Sequence, residues 1–202
     1  PEEFKAAIHR AAVALKGVPT YCGAALRNKG IQPLLDGIKD FLPNPGEVPP
    51  IIGSHPQTGL AETRPSRDDA PLAALAFKIM VDQNQRLTYV RLYSGVLKSG
   101  QEVYNSIKGT TEKVARILRM HANKREPLEE ARAGSIVALL GLKATTTGDT
   151  LCTRDHPIVL ENITSYEPVI SLAIEPMTRD DQERLGPALA RVSEEDPSLR
   201  LH

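Results

Sequence analysis

The stretch Arg91-Leu-Tyr-Ser-Gly-Val-Leu-Lys-Ser-Gly-Gln-Glu-Val-Tyr104 limits what this chain can fold into more than any other part of it. Two short alternating runs flank Ser94-Gly95, and a third begins after Ser99-Gly100. Glycine reaches backbone conformations that other residues resist, so it closes tight turns. Alternating runs between such turns predict antiparallel sheet built from short strands.

The same pattern extends over residues 71–165. Leu75, Phe77, Ile79 and Val81 alternate with Ala76, Lys78 and Met80. Further short strands are predicted at 87–93, 103–104, 114–120, 136–140 and 150–151. Turn signals recur at Lys108-Gly109, Ala133-Gly134 and Thr147-Gly148-Asp149. Many short strands at this spacing predict a barrel or sandwich. Tyr89, Tyr93 and Tyr104 could stack on bases, but their alternating positions favour cross-strand packing.

The flanks read differently. Glu2 and Glu3 suit a helix N-terminus, and Phe4, Ala7, Ile8, Ala11 and Leu15 follow at helical spacing. Val18–Cys22 is a strand candidate. Leu34, Leu35, Ile38 and Leu42 mark a second amphipathic helix, stopped by Pro43. Prolines 43, 45, 49 and 50 then open a connection over 43–70, with His55–Ala70 expected as an exposed, mobile loop. Residues 169–174 predict one more strand. Thr178 and Asp181 resemble a helix cap, followed by an apolar stripe that Pro187 should bend or weaken. A single strand at either end cannot make a sheet, so both flanks read as incomplete units of a longer protein.

Lys and Arg total 25 against 25 Asp and Glu, so the formal net charge is zero. No global field draws the chain to nucleic acid, and any RNA contact must come from a local patch. One such patch is visible. Lys113, Arg116, Arg119, His121, Lys124 and Arg125 follow one another with no acid between Lys113 and Arg125. Phosphate contacts favour such runs; a solvated strand face is the alternative. Glu126, Glu129 and Glu130 read as an acidic loop that balances it. Cys22 and Cys152 lack metal-ligand spacing and read as reduced, buried or half-buried thiols. The five histidines, His202 included, do not group as zinc ligands. No run approaches the length of a membrane span.

Three segments, in order, resemble elongation factor G of the translational GTPase family. Cys22–Asp36 is similar to the end of its GTPase domain. Leu87–Gly95, Met120-His-Ala-Asn-Lys-Arg-Glu126, Gly141-Leu-Lys143 and Thr147-Gly-Asp-Thr150 are similar to its second domain. Pro168–Pro176, Asp181–Gly186 and Glu195-Asp-Pro-Ser198 are similar to the start of its third domain. The resemblance implies a mainly β fold: a translation-factor-type antiparallel β-barrel flanked by partial α/β pieces, a GTPase-domain tail and a ferredoxin-like third-domain start. The implied divisions are 1–42, a linker at 43–70, the barrel at 71–165, and 166–202.

It also implies a fragment of a ribosomal translocation factor. The barrel would contact small-subunit rRNA through Arg116, Arg119, His121, Lys124, Arg125 and Lys143, and couple the GTP state to distal domains. Ala24, Ala25 and Leu26 stand where the family carries its last guanine-recognition loop, with Ala24 in place of the usual Ser. The parent would be a cytoplasmic GTPase using GTP or GDP with magnesium. This chain has no Gly-x-x-x-x-Gly-Lys-Ser/Thr phosphate loop, and Asn28-Lys29-Gly30-Ile31 lacks the carboxylate of a guanine-reading Asn-Lys-x-Asp motif. The fragment is therefore expected to hold no cofactor or metal, to catalyse nothing alone, to avoid membranes and to be monomeric. Release factor 3, a ribosome-protection or recycling paralogue, and a free-standing RNA-binding barrel are the alternatives.

Overall fold

In a computed structural model, residues 2–82, 85–122, 124–161, 168–196 and 198–201 are described. Asn123 and Pro197 of the family-like segments, His202, and the expected 165/166 division lie outside them. The chain forms two compact units, Pro1–Pro49 and Pro50–His202.

In the first unit, helix α1 (Glu2–Val13) packs on α2 (Ile31–Phe41). Lys5 and Asp40 join them at 2.9 Å. Gly37 in α2 leaves room for the Tyr21 ring and hydroxyl, which lie where a side chain would go. This helix buries Gly37 and Phe41 and leaves Leu34, Leu35 and Ile38 exposed, although the sequence marks these three as a face in need of cover. Val18–Cys22 is irregular rather than a strand. A strand needs a ladder partner, and none is paired with this segment among the described residues. Cys22 is exposed, not buried; Cys152 is buried, and both are free.

The second unit is dominated by sheet. The hairpin β1 (Ile51–Ser54) and β2 (Ala61–Arg64) replaces the loop expected within 43–70. Gly53 lets it lie close to the segment after β12: an added Cβ would fall 2.5 Å from the Val159 carbonyl. That close approach leaves no sign in the sequence beyond a glycine between Ile52 and Ser54.

The main strands are β3 (Ala73–Asp82), β4 (Gln85–Ser94), β5 (Val96–Lys98), β6 (Glu102–Asn105), β7 (Thr110–Lys113), β8 (Arg116–His121), β9 (Lys124–Leu128), β10 (Glu130–Arg132), β11 (Ile136–Leu140) and β12 (Thr150–Cys152). Eight of them form one antiparallel sheet in the order β7-β6-β12-β3-β4-β11-β8-β9, and β5 pairs with β10. One core joins distant strands: Ala74 and Ala76, Val90 and Leu92, Leu97, Val103, Ile117, Val137, Leu139 and Leu151. A sheet whose two ends share a core has curled on itself, as a barrel does.

A bulge between Ala76 and Lys78 shifts the alternation in β3. Before it, Ala74 and Ala76 stand opposite Leu92 and Val90 and face the main core, whereas Leu75 packs on a second cluster with Tyr93, Tyr104, Cys152 and Ile158; after it, the buried Ile79 stands opposite Thr88. Tyr89 packs on a third, with Leu87, Leu118 and Ala138. All three tyrosines thus serve packing. Gly95 sits at φ +76, with Leu72 Cα 2.7 Å from an added Cβ, so the Ser94-Gly95 turn admits no side chain.

Helix α3 (Arg179–Glu195) is capped by Thr178, whose hydroxyl oxygen accepts from the Asp181 N–H at 3.2 Å. The helix continues through Pro187. Residues 169–174 are irregular and Val169, Ile170, Leu172 and Ile174 are exposed, so the strand expected there does not form. The physical reason is the same as for Val18–Cys22: no ladder partner is present among the described residues.

The loop 141–149 is fastened from several strands. The Glu112 carboxylate on β7 accepts from the N–H groups of Lys143 (2.5 Å), Ala144 (2.7 Å) and Thr145 (2.9 Å), and from the Thr145 hydroxyl (2.5 Å). Burial pushes the Glu112 carboxyl up, but these bonds win and hold it below the usual glutamate value. Its stabilising contribution is then present above the ordinary pKa of about 4.3 and is lost as pH falls through the lower folded value. Glu112→Gln should flatten the acid limb of stability against pH. Glu112→Ala, which leaves the N–H and hydroxyl of the buried Thr145 without their acceptor, should cost about 1–3 kcal/mol in urea unfolding at neutral pH.

Candidate nucleic-acid interface

Strands β8 and β9 form a hairpin whose register decides which cations share a face. His121 stands opposite Lys124, Met120 opposite Arg125, Arg119 opposite Glu126, and Ile117 opposite Leu128. Directly opposed residues project to the same side. Ile117 is in the core and Leu128 packs against it. Farther out on that side, past the core, stand Arg119, His121, Lys124 and Glu126. Met120 belongs to the other side, with Leu118, and so does Arg125.

The six basic residues singled out in the sequence therefore do not form one patch. Arg119, His121 and Lys124 gather at the hairpin tip and are exposed. Glu126 tempers them, 3.6 Å from Arg119 and 3.8 Å from His121. Arg125 is turned away and pairs with Asp82, with its second contact on Gln85 Oε1 at 2.9 Å. Arg116, at the far end of β8, is about 16 Å from His121 at the usual strand rise. It is paired in register with Leu140, just before the loop that carries Lys143. Arg116, Lys124 and Lys143 are exposed and have no acidic partner among the described residues. The hairpin thus offers one cationic group at its tip and another at its base. Exposed cations on long stems suit phosphate contacts.

Ala24, Ala25 and Leu26 form a tight turn in the first unit. Ala24 bridges Lys29 in both directions, its N–H to the Lys29 carbonyl at 3.0 Å and the Lys29 N–H to its own carbonyl at 3.2 Å. A 3-10 turn, Ala25–Arg27, lies between them. Gly30 at φ +79 closes the loop, with the Cys22 carbonyl 2.8 Å from an added Cβ. No partner among the described residues reaches the N–H groups of Ala25 and Leu26. Two free N–H groups can donate to a carbonyl-type acceptor such as a base edge. The turn has no side-chain hydroxyl and no cation aimed at a phosphate. Among the described residues no three His, Cys, Asp or Glu gather to hold a metal.

Sequence reasoning missed what holds the hairpin base. Loop 141–149 is fixed by Glu112 and also by Asp149, which accepts from Asn105 Nδ2 (2.8 Å) and the Thr146 N–H (2.7 Å) and pairs with Lys108 (3.1 Å). Arg86 donates to the carbonyls of Leu142 (2.8 Å) and Thr145 (2.6 Å) and pairs with Glu194 of α3 at 3.1 Å. The Thr147-Gly148-Asp149 turn signal and the family-like Gly141-Leu-Lys143 marked this loop, but not what holds it. Its fasteners come from positions 86, 105, 108 and 112, which the sequence does not tie to it.

Comparison with known proteins agrees on one family. Residues 85–152 match the family described as Elongation factor Tu domain 2, and residues 166–202 match Elongation Factor G, domain III. The chain is 55% identical over 195 residues to "Elongation factor G 2" of Syntrophus aciditrophicus (strain SB), covering 96% of this chain and 29% of that protein. A crystal structure of a Thermus thermophilus protein superposes with a TM-score of 0.73 at 27% identity, covering 100% of this chain and 28% of that one. The chain thus spans less than a third of the length of these relatives.

The tip geometry yields a direct expectation. Glu126→Gln removes the acid facing Arg119 and His121, so the chain should elute from heparin at higher salt. Unchanged elution would mean that the tip cations do not meet the polyanion.

Proposed function

Because the chain belongs to the elongation factor G family of translational GTPases, we propose that its barrel docks a ribosomal translocation factor on small-subunit rRNA through the β8–β9 hairpin. The observation that carries this reading is the tip itself. Arg119, His121 and Lys124 share one exposed face of a two-stranded projection whose base is fixed to the barrel. Lys143 and Arg116 at the base extend the contact, and Arg125 orients the hairpin through Asp82 rather than touching RNA. Contact of this kind is led by phosphates and shape.

The same reading assigns the four divisions 1–42, 43–70, 71–165 and 166–202 to a GTPase-domain tail, a linker, the barrel and the start of a third domain. The N–H groups of Ala25 and Leu26 would meet the guanine edge of GTP or GDP. The phosphates and magnesium would be held by residues outside this chain, which has no phosphate loop. Arg86, bonded to loop 141–149 and to Glu194 of α3, is the route by which the barrel and the third-domain segment influence one another. The factor would work in the cytoplasm.

In a full-length factor carrying this segment, Arg119→Gln with Lys124→Gln should weaken ribosome binding about tenfold near physiological salt and lower the slope of log affinity against log salt by about 1 to 2. Unchanged affinity and slope in a sedimentation assay would contradict the docking. The 202-residue chain alone should show no GTP turnover, and measurable hydrolysis would overturn the assignment.

A further inference from the structure

Away from the hairpin, the turn between β1 and β2, the turn between β6 and β7, and the segment after β12 enclose a cavity of about 470 Å³. That volume lies within the range of small-molecule sites, about 300–1,000 Å³. No Asp or Glu lines it. Its polar groups are of two kinds. Some are already engaged: the Ser106 hydroxyl donates to the Ile158 carbonyl at 2.6 Å, and Lys108 Nζ pairs with Asp149 at 3.1 Å and donates to the Thr146 hydroxyl at 2.7 Å. Arg154 is different. Its guanidinium lies 5.9 Å from the centre of the Tyr104 ring and has no carboxylate partner among the described residues. Asp155 follows it in the chain but does not line the cavity.

The rest of the wall suits a flat, partly apolar guest. Pro56, Pro157 and Ile107 supply apolar surface, and Gln57 supplies an amide with both donors and an acceptor. Gly109, at φ +66, keeps the wall open beside Tyr104, whose hydroxyl would be 3.8 Å from an added Cβ. A guanidinium without an acid favours phosphate, which it binds by charge-assisted, often paired hydrogen bonds.

We propose that this cavity binds a phosphorylated nucleoside, with Arg154 on the phosphate, the base against Pro56, Ile107 and Pro157, and Gln57 on the base edge. A free nucleotide and an exposed nucleotide of RNA present the same chemistry. The site does not depend on the β8–β9 hairpin.

The test is titration of the 202-residue chain by calorimetry and amide NMR with AMP, adenosine, ribose 5-phosphate and a short single-stranded oligouridylate. AMP should saturate and shift the Gly109 N–H and the Gln57 side-chain amide. Adenosine and ribose 5-phosphate, each lacking one half, should bind at least about tenfold more weakly. Tighter binding of the oligouridylate would identify RNA as the source, and tighter binding of AMP a free nucleotide; either supports the site. Arg154→Gln, at an exposed position, should weaken AMP at least about tenfold with unchanged melting, and Gln57→Ala should weaken it as well. Arg119→Gln should leave AMP binding intact, which separates this site from the docking hairpin. The proposal is overturned if neither AMP nor the oligouridylate saturates, if ribose 5-phosphate binds as tightly as AMP, or if Arg154→Gln has no effect.

Discussion

The rest of this structure depends on four donors converging on one carboxylate. Glu112 gathers three consecutive N–H groups and a hydroxyl from Lys143–Thr145. Those N–H groups lie in an irregular loop with no ladder to satisfy them, and for the buried Thr145 an unpaired donor away from water is costly. Glu112 supplies the missing acceptor. In doing so it ties β7, one edge of the eight-stranded sheet, to the loop that leaves β11. Asp149 repeats the device from the other end of the loop, drawing in Asn105 and Lys108. Curling of the sheet is thus secured by side-chain carboxylates where backbone pairing stops.

This fastening has consequences at two distances. Nearby, it fixes the base of the β8–β9 hairpin, so that Arg116 and Lys143 stand at a defined end of the strand and Arg119, His121 and Lys124 at the other. Farther away, Arg86 shares its guanidinium between the loop carbonyls and Glu194. Helix α3 also meets the open backbone of Val81, where Glu195 accepts the N–H at 2.7 Å and Arg191 donates to the carbonyl. The helix therefore covers the end of β3 by completing hydrogen bonds that the sheet leaves unmade. Individual exposed ion pairs contribute little, so the backbone contacts and the half-buried Arg86 carry this junction.

Much of the barrel was legible because its signals are local. Ser94-Gly95 and Ser99-Gly100 fix turns through their own backbone needs, and the alternating runs between them become strands. The Thr178 cap was legible for the same reason. What was not legible depends on partners distant in sequence. Val18–Cys22 and residues 169–174 have strand composition but no neighbour to pair with among the described residues, so composition alone misleads. The hairpin β1–β2 is held to the segment after β12 by the Ser54–Val159 bridge, which Gly53 leaves room for, a contact between residues far apart in the chain. The bulge in β3 puts Leu75 and Ile79, which a simple alternation would place together, on different faces. In the candidate interface, the sequence identified the cations, but register divided them, and Asp82 removed Arg125 from the exposed set. The pinning role of Glu112 had no sequence sign at all.

Whether the fold holds the tip of the β8–β9 hairpin toward small-subunit rRNA can be tested by hydroxyl-radical cleavage from an iron chelate tethered to that tip. A full-length factor carrying this segment, with Ala122→Cys and the exposed Cys22→Ser, would be loaded on ribosomes with the chelate at position 122. The proposed docking predicts strand scission concentrated in small-subunit rRNA and lost when Arg119 and Lys124 are both changed to Gln. Scission confined to large-subunit rRNA, or none from a factor shown to be bound, would contradict it.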